Sequence, residues 1–338
     1  MNKKRQQILQ WQQQGLIATK DVEKCLHLTQ SSITGKQWYD FITKSLLLFG
    51  AAAMAAGVIF FFAYNWDNMS NFSKFALAQG LIISGSLLYS QLKSSSLPAN
   101  ATLLFVALLI GALLALFGQT YQTGKDPWQL FALWSLFVAP LAYVAKDSLL
   151  WILLSVLANV GLYLFFSVHP WFFGTVLNNL NIALIFALLN MCLAGVLFFV
   201  HKPKQAHKQT AAFYLTIIMA ISVFTWLGAV AILTNDNLLY LFIFIVWMFA
   251  VYYFFRIKMV DVLILAAWSL SLIIALTALA SRFLGGGFYG GKFLFLGIFL
   301  ILASTFATKW LMGLLKQQVA EPSERQSPRP IAEQGDKS

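Results

Sequence analysis

Charge is what this chain has least of. Asp, Glu, Lys and Arg make up 10% of its 338 residues, against about 25% in a soluble domain. With 59% hydrophobic residues, the balance excludes a soluble protein of any fold class. Cysteine is equally scarce. Cys25 lies in a polar segment and Cys192 inside an apolar run, so neither a disulfide framework nor a cysteine metal site is expected. The four histidines, His27, His169, His201 and His207, have no neighbour at metal-ligand or nucleophile–base spacing. No metal, cofactor or catalytic constellation is therefore expected. No pair of acidic residues falls within an apolar run, which argues against ion-coupled transport, a task that relies on ionisable groups inside the membrane. Asp261 and Lys309 come nearest, and both stand close to the ends of runs.

What the chain has instead is long apolar runs. Ten can be placed, at about 46–65, 75–92, 101–118, 128–145, 148–167, 179–200, 210–233, 238–255, 260–281 and 293–314. A membrane-spanning helix needs about 20 such residues. The runs are continuous and rich in Leu, Ala and Phe, unlike the short alternating segments of a membrane β-barrel. The expected fold is an all-α bundle of about ten transmembrane helices.

The net charge of +11 does not point to nucleic acid. With ten spans and the N-terminus inside, the inner segments hold 19 of the 23 Lys and Arg residues. The outer loops hold Lys74, Lys125, Arg282 and Lys292. This asymmetry orients the chain with both termini cytosolic, and its partners are membrane lipids, whose anionic headgroups attract the inner charge.

Three regions follow. Residues 1–44 read as a cytosolic helical hairpin, with no apolar stretch or cleavage site of a secretory signal. Its first helix carries Ile8, Leu9 and Trp11 and stops at Gly15; Thr19 is expected to cap the second, with Asp21 and Glu23 in the first turn. The hairpin offers a docking surface for a cytosolic protein. Residues 45–315 form the bundle. Residues 316–338, with Pro322, Pro328 and Pro330 among polar residues, read as a disordered cytosolic tail.

Two polar, aromatic-rich motifs stand where runs end. Tyr64-Asn65-Trp66-Asp67 closes the first, and Gly118-Gln119-Thr120-Tyr121-Gln122-Thr123-Gly124-Lys125-Asp126-Pro127-Trp128 joins the third to the fourth. Each has a plain structural reading. Asn65 and Asp67 suit a helix end, Asp126 and Pro127 suit a helix start, and Trp and Tyr favour the membrane interface. Yet Asn65, Asp67, Gln79, Gln119, Gln122 and Asp126 all fall on the outer side. There they are expected to form one polar cup, walled by Trp66, Tyr121 and Trp128. A few polar groups in an aromatic lining is the ordinary make-up of a ligand site. The candidate ligand-binding residues are Asn65, Trp66, Asp67, Gln119, Tyr121, Gln122, Asp126 and Trp128.

Other features read as structure. Asn159 and Asn190 fall at similar depth in adjacent runs and are expected to bond to each other. Ala53/Gly57, Gly80/Ser84 and Ala107/Gly111/Ala115 have the spacing of close helix packing. Gly286 to Lys292 begins like a phosphate-binding loop, but Phe293 replaces the Ser or Thr that holds magnesium.

The segment Phe61-Phe62-Ala63-Tyr64-Asn65-Trp66, followed by Lys74-Phe75-Ala76-Leu77-Ala78, resembles the first signature of a bacterial family of predicted membrane proteins, domain-of-unknown-function family 2157. Phe117-Gly118-Gln119-Thr120-Tyr121-Gln122, with Gly124, Asp126-Pro127-Trp128 and Leu130-Phe131, resembles its second, and Gly15-Leu16-Ile17 its N-terminal turn. The resemblance covers about residues 5–165. It implies a multi-pass protein of the bacterial inner (cytoplasmic) cell membrane and carries no activity. Three functions stay open: binding or moving a lipid-linked or small polar ligand at the outward cup; a scaffold or sensor docking a cytosolic partner through residues 1–44; and an enzyme on a lipid-linked substrate, with Asp67 or Asp126 as acid or base. The first, non-enzymatic reading leads.

Overall fold

The computed structural model of the chain describes residues 8, 11–12, 15–22, 24–25, 35–94, 96–121, 126–145, 147–169, 171–172, 175–176, 179–200, 209–234, 238–284 and 290–324. Among these the fold is all-α, with ten long helices. They are α1 (Gly35–Tyr64), α2 (Asn71–Gln91), α3 (Leu97–Tyr121), α4 (Trp128–Ala145), α5 (Ser148–Val168), α6 (Asn179–Val200), α7 (Ala211–Thr234), α8 (Leu238–Tyr253), α9 (Val262–Phe283) and α10 (Gly290–Glu324). Each coincides with one apolar run. Trp171–Phe172 and Thr175–Val176 pair as a two-residue antiparallel ladder between α5 and α6.

Nine of the ten helices are long and apolar enough to cross a membrane. The tenth, α2, has 21 residues, about 31 Å of helix. That matches a hydrocarbon core of about 30 Å, but Lys74, Gln79 and several serines lower its hydropathy. The chain is a multi-pass membrane protein. A helix suits that setting because it satisfies its own backbone hydrogen bonds where water is absent.

Ahead of α1, Gly15 has φ +72. Its N–H donates to the Gln12 carbonyl at 3.0 Å and that of Leu16 to Trp11 at 2.8 Å, the left-handed stop that glycine permits. The next turn, Thr19–Asp21, is 3-10 and is preceded by Ala18 at the cap position, without a side-chain cap bond. The expectation of Thr19 as cap is therefore wrong: Thr19 already lies inside the turn. Leu9 and Glu23 lie outside the described residues.

The chain divides into two compact units, residues 1–123 and 124–338. In the first, α1 and α2 both pack on α3. At one end, Phe62 of α1, Ala78 of α2 and Leu116 of α3 form a buried cluster with Val58, Trp66, Met69, Phe75 and Leu113 around it. Ala107 and Gly111 are buried in α3, as the spacing predicts. Ala53, Gly57, Gly80 and Ser84 are exposed instead. The close approach of α2 occurs at Gly85, where a Cβ would stand 2.7 Å from Val106 Cγ2. Small residues occur on both faces of α1 and α2, and spacing alone did not say which face packs.

In the second unit α7 is central, touching α5, α6, α8 and α9, while α10 packs on α9. Phe224, Leu227 and Ala231 of α7 meet Phe244 and Met248 of α8, Ala187 of α6 and Ala275 of α9. Gly228 lets the Phe244 ring lie flat on α7, since a Cβ there would stand 2.4 Å from Phe244 Cγ.

Side-chain hydrogen bonds tie these helices. Asn190 Nδ2 donates to Asn159 Oδ1 at 2.8 Å and Asn159 Nδ2 to Asn190 Oδ1 at 3.2 Å, the amide pairing expected from the sequence. Thr225 and Ser271 share a hydroxyl bond of 2.5 Å. Asp261 caps α9, its Oδ1 accepting from the N–H groups of Leu263 and Ile264, and its Oδ2 accepts from Tyr214 at 2.7 Å. The acidic residue nearest a span is thus a helix cap.

Candidate functional site

The first motif builds the turn between α1 and α2. Asn65 donates its side-chain N–H to the Phe61 carbonyl at 3.0 Å. Its own carbonyl accepts from the N–H groups of Asn68 and Met69, at 3.1 and 3.2 Å. Asn65 therefore does the helix-ending work of the plain reading, and Asp67 beside it is exposed. Ser70 then caps α2, its Oγ accepting from the Ser73 N–H at 3.2 Å. This folding-back brings Trp66 against the first turn of α2.

Lys74 stands in that turn. It is 4% exposed, rare for lysine at any position, and its ammonium lies 3.8 Å from the centre of the Trp66 ring. A helical side chain points toward the N-terminus of its helix, which carries the ammonium back over the turn. Among the described residues, no carboxylate or hydrogen-bond acceptor reaches it. The next residue, Phe75, meets the second motif. Its ring centre lies 6.5 Å from that of Phe117 and 6.0 Å from that of Tyr121, and the latter two are 4.8 Å apart. The packing of α3 against both α1 and α2 thus brings Trp66 of the first motif and Tyr121 of the second to one end of the first unit.

Within this unit, Trp66 and Tyr121 are brought together through Phe75 and Lys74. Gln119 is exposed, as are Asp67 and Gln79. The Thr120 hydroxyl, one turn beyond Leu116, is buried with no hydrogen-bond partner among the described residues. Asp126 and Trp128 belong to the second unit. Trp128 packs edge-on against Phe165 at 5.0 Å and near His169 at 6.2 Å, and its indole N–H is buried without a described acceptor. The Asp126 carbonyl accepts from the Gln129 N–H at 3.4 Å. Gln122 lies outside the described residues, as do 285–289 of the glycine-rich loop.

The residue that sequence reasoning left out of the site is Lys74. It stood at the edge of the second run and was read as loop charge. The signal was present: few cations fall on the side expected to be outer, and this one adjoins Phe75 within the first signature.

The second unit adds two apolar grooves. One, of about 340 Å³, is lined by Phe244, Met248, Tyr252, Trp268 and Leu272. The other, of about 360 Å³, lies among Phe198, Phe213, Trp247 and Phe254. Both suit hydrocarbon and offer little to orient a polar ligand. Among the described residues there is no cluster of three His, Cys, Asp or Glu side chains to hold a metal.

No curated protein and no solved structure matches the chain. Over residues 9–151, from the N-terminal segment into the start of α5, the chain matches the family model described as Predicted membrane protein (DUF2157), the family its two signatures resemble.

Proposed function

We propose that the end of the first unit where Trp66, Lys74, Phe75, Phe117 and Tyr121 meet is a ligand site facing away from the cytoplasm, and that the protein binds or moves a lipid-linked or small polar ligand there. The observation that carries this reading is that the first turns of α2 meet a residue of each motif, buried Lys74 lying against Trp66 and Phe75 against Tyr121. Of the remaining candidates, Asn65, Asp67 and Gln119 of the same unit are assigned to the rim of this site. Aromatic side chains with a few placed polar groups are the usual lining of a ligand pocket. Aromatic faces stack on sugars and headgroups, and the exposed Tyr121 ring is open to such a partner.

An enzymatic role has less support. Asp67 is exposed, and an acid or base needs a fixed position within hydrogen-bond reach of the reacting group. The test is native mass spectrometry of the gently purified full chain beside a Trp66→Ala/Tyr121→Ala variant. A small molecule or lipid-linked species retained by the wild type and lost by the variant supports the site. Equal retention by both proteins overturns it.

A further inference from the structure

We infer that the group recognised at this end of the first unit is an anion of the phosphate class, received by the Lys74 ammonium and the N-terminus of α2. The inference rests on the ligand-site reading above and names its chemistry. Lys74 is a cation that is nine-tenths buried. Burying a lysine side chain is unfavourable unless its charge is paired. The ammonium contacts the Trp66 ring at 3.8 Å, a cation–π contact of about 2 kcal/mol, and no carboxylate among the described residues pairs with it.

The position compounds the imbalance. A helix N-terminus carries about half a positive charge, so acidic side chains favour the first turn and basic ones the last. The first turn of α2 holds no acidic residue and instead contains Lys74. The helix has 21 residues, long enough for its peptide dipoles to align. Ser70 satisfies the Ser73 N–H, while the N–H groups of Asn71 and Phe72 have no carbonyl one turn back. The helix dipole and a lysine with no carboxylate partner among the described residues therefore place two positive sources in the first turn of α2, beside the Trp66 ring. An anion placed there would accept from the ammonium and the helix N-terminus together, the way helix ends hold phosphate groups. Two sources share that chemistry: the phosphodiester of an anionic phospholipid and a soluble phosphate.

The test uses the full chain in nanodiscs of phosphatidylcholine, with or without phosphatidylglycerol, beside Lys74→Gln and Lys74→Arg variants. Retained phosphatidylglycerol is counted by native mass spectrometry, and inorganic phosphate is titrated calorimetrically into the phosphatidylcholine nanodiscs. Removing one charge-assisted contact should weaken binding about ten- to a hundredfold in Lys74→Gln, with Lys74→Arg close to wild type. Lipid retention alone identifies a headgroup; phosphate heat alone identifies a soluble phosphate; either supports the inference. Equal binding by wild type and Lys74→Gln, or binding of neither probe, overturns it. If in addition the molecule lost from the Trp66→Ala/Tyr121→Ala variant stays bound to Lys74→Gln, the anion assignment fails while the ligand site stands. Lys74→Gln removes the charge at a small loss of side-chain volume, and Lys74→Arg, which keeps the charge, guards against a purely structural effect.

Discussion

The amide clasp between α5 and α6 makes a prediction whose sign depends on geometry. Asn159 and Asn190 exchange two interhelical bonds of 2.8 and 3.2 Å. Each also donates within its own helix, Asn159 to the Ser155 carbonyl at 2.8 Å and Asn190 to the Phe186 carbonyl at 2.9 Å. Replacing either by Leu leaves the partner anchored to its own helix, but with an unpaired carbonyl oxygen and one unpaired N–H. A buried polar group in that state costs about 1–3 kcal/mol. An interhelical bond in lipid contributes less, about 0.6 kcal/mol on average and up to about 1.7. Each single variant should therefore lose about 2 kcal/mol, mainly from the orphaned partner. The double variant orphans nothing and should lose no more than either single one, giving a coupling energy of at least about 2 kcal/mol. An asymmetry follows as well. Asn190 is 2% exposed and Asn159 only half-buried, so Asn159→Leu strands the more deeply buried amide and should cost more. Unfolding in mixed detergent micelles or by steric trapping in bicelles measures all four species. Losses that add to within about 0.5 kcal/mol, or an Asn190→Leu cost that exceeds that of Asn159→Leu, would refute the reasoning.

Two further expectations are as direct. Gly228→Ala puts a methyl group 2.4 Å from Phe244 Cγ, the root of the ring and not a flexible end. It should destabilise the protein by about 1–3 kcal/mol, and Phe244→Leu in the same chain should recover part of that loss in thermal unfolding. With both native cysteines changed to Ser, a cysteine at exposed Asn68 should react with a membrane-impermeant maleimide added to whole cells, and one at exposed Lys93 only after the membrane is opened; the reverse pattern would invert the orientation drawn from the lysine and arginine distribution.

Most of the architecture was legible because lipid restricts the chain so severely. Every apolar run became a helix, since no other element satisfies its backbone alone in hydrocarbon. The Asn159–Asn190 bond was legible for the same reason, because a buried amide in a span has few partners other than another amide at its depth. Boundaries were less clear. α1 begins at Gly35 instead of near 46, as Trp38, Tyr39, Phe41 and Ile42 extend the helix although Lys36, Asp40 and Lys44 interrupt the hydropathy. The Thr19 cap failed for a different reason: Ala18 leads that turn without any side-chain bond, so a favourable cap residue one position later had no role to fill.

What hydropathy could not rank was the faces of the helices. In water a helix divides its apolar and polar residues between core and solvent. In lipid both faces are apolar, and a small residue on the outer face looks the same as one in a helix contact. That is why the exposed Ala53/Gly57 and Gly80/Ser84 resembled packing positions while Gly85 did the packing. The same reasoning explains Lys74. A cation at the end of an apolar run lowers hydropathy and is assigned to the loop, whereas the turn built by Asn65 and Ser70 brings it against Trp66. Burying a charge is among the least favourable things a membrane protein does. Here the fold does so without a neutralising carboxylate among the described residues, at the helix end that disfavours cations, and with the Trp66 ring as the contact of the ammonium. Under the proposal above a bound anion completes that balance, which is why this lysine, more than any exposed carboxylate of the two motifs, directs the search for a ligand.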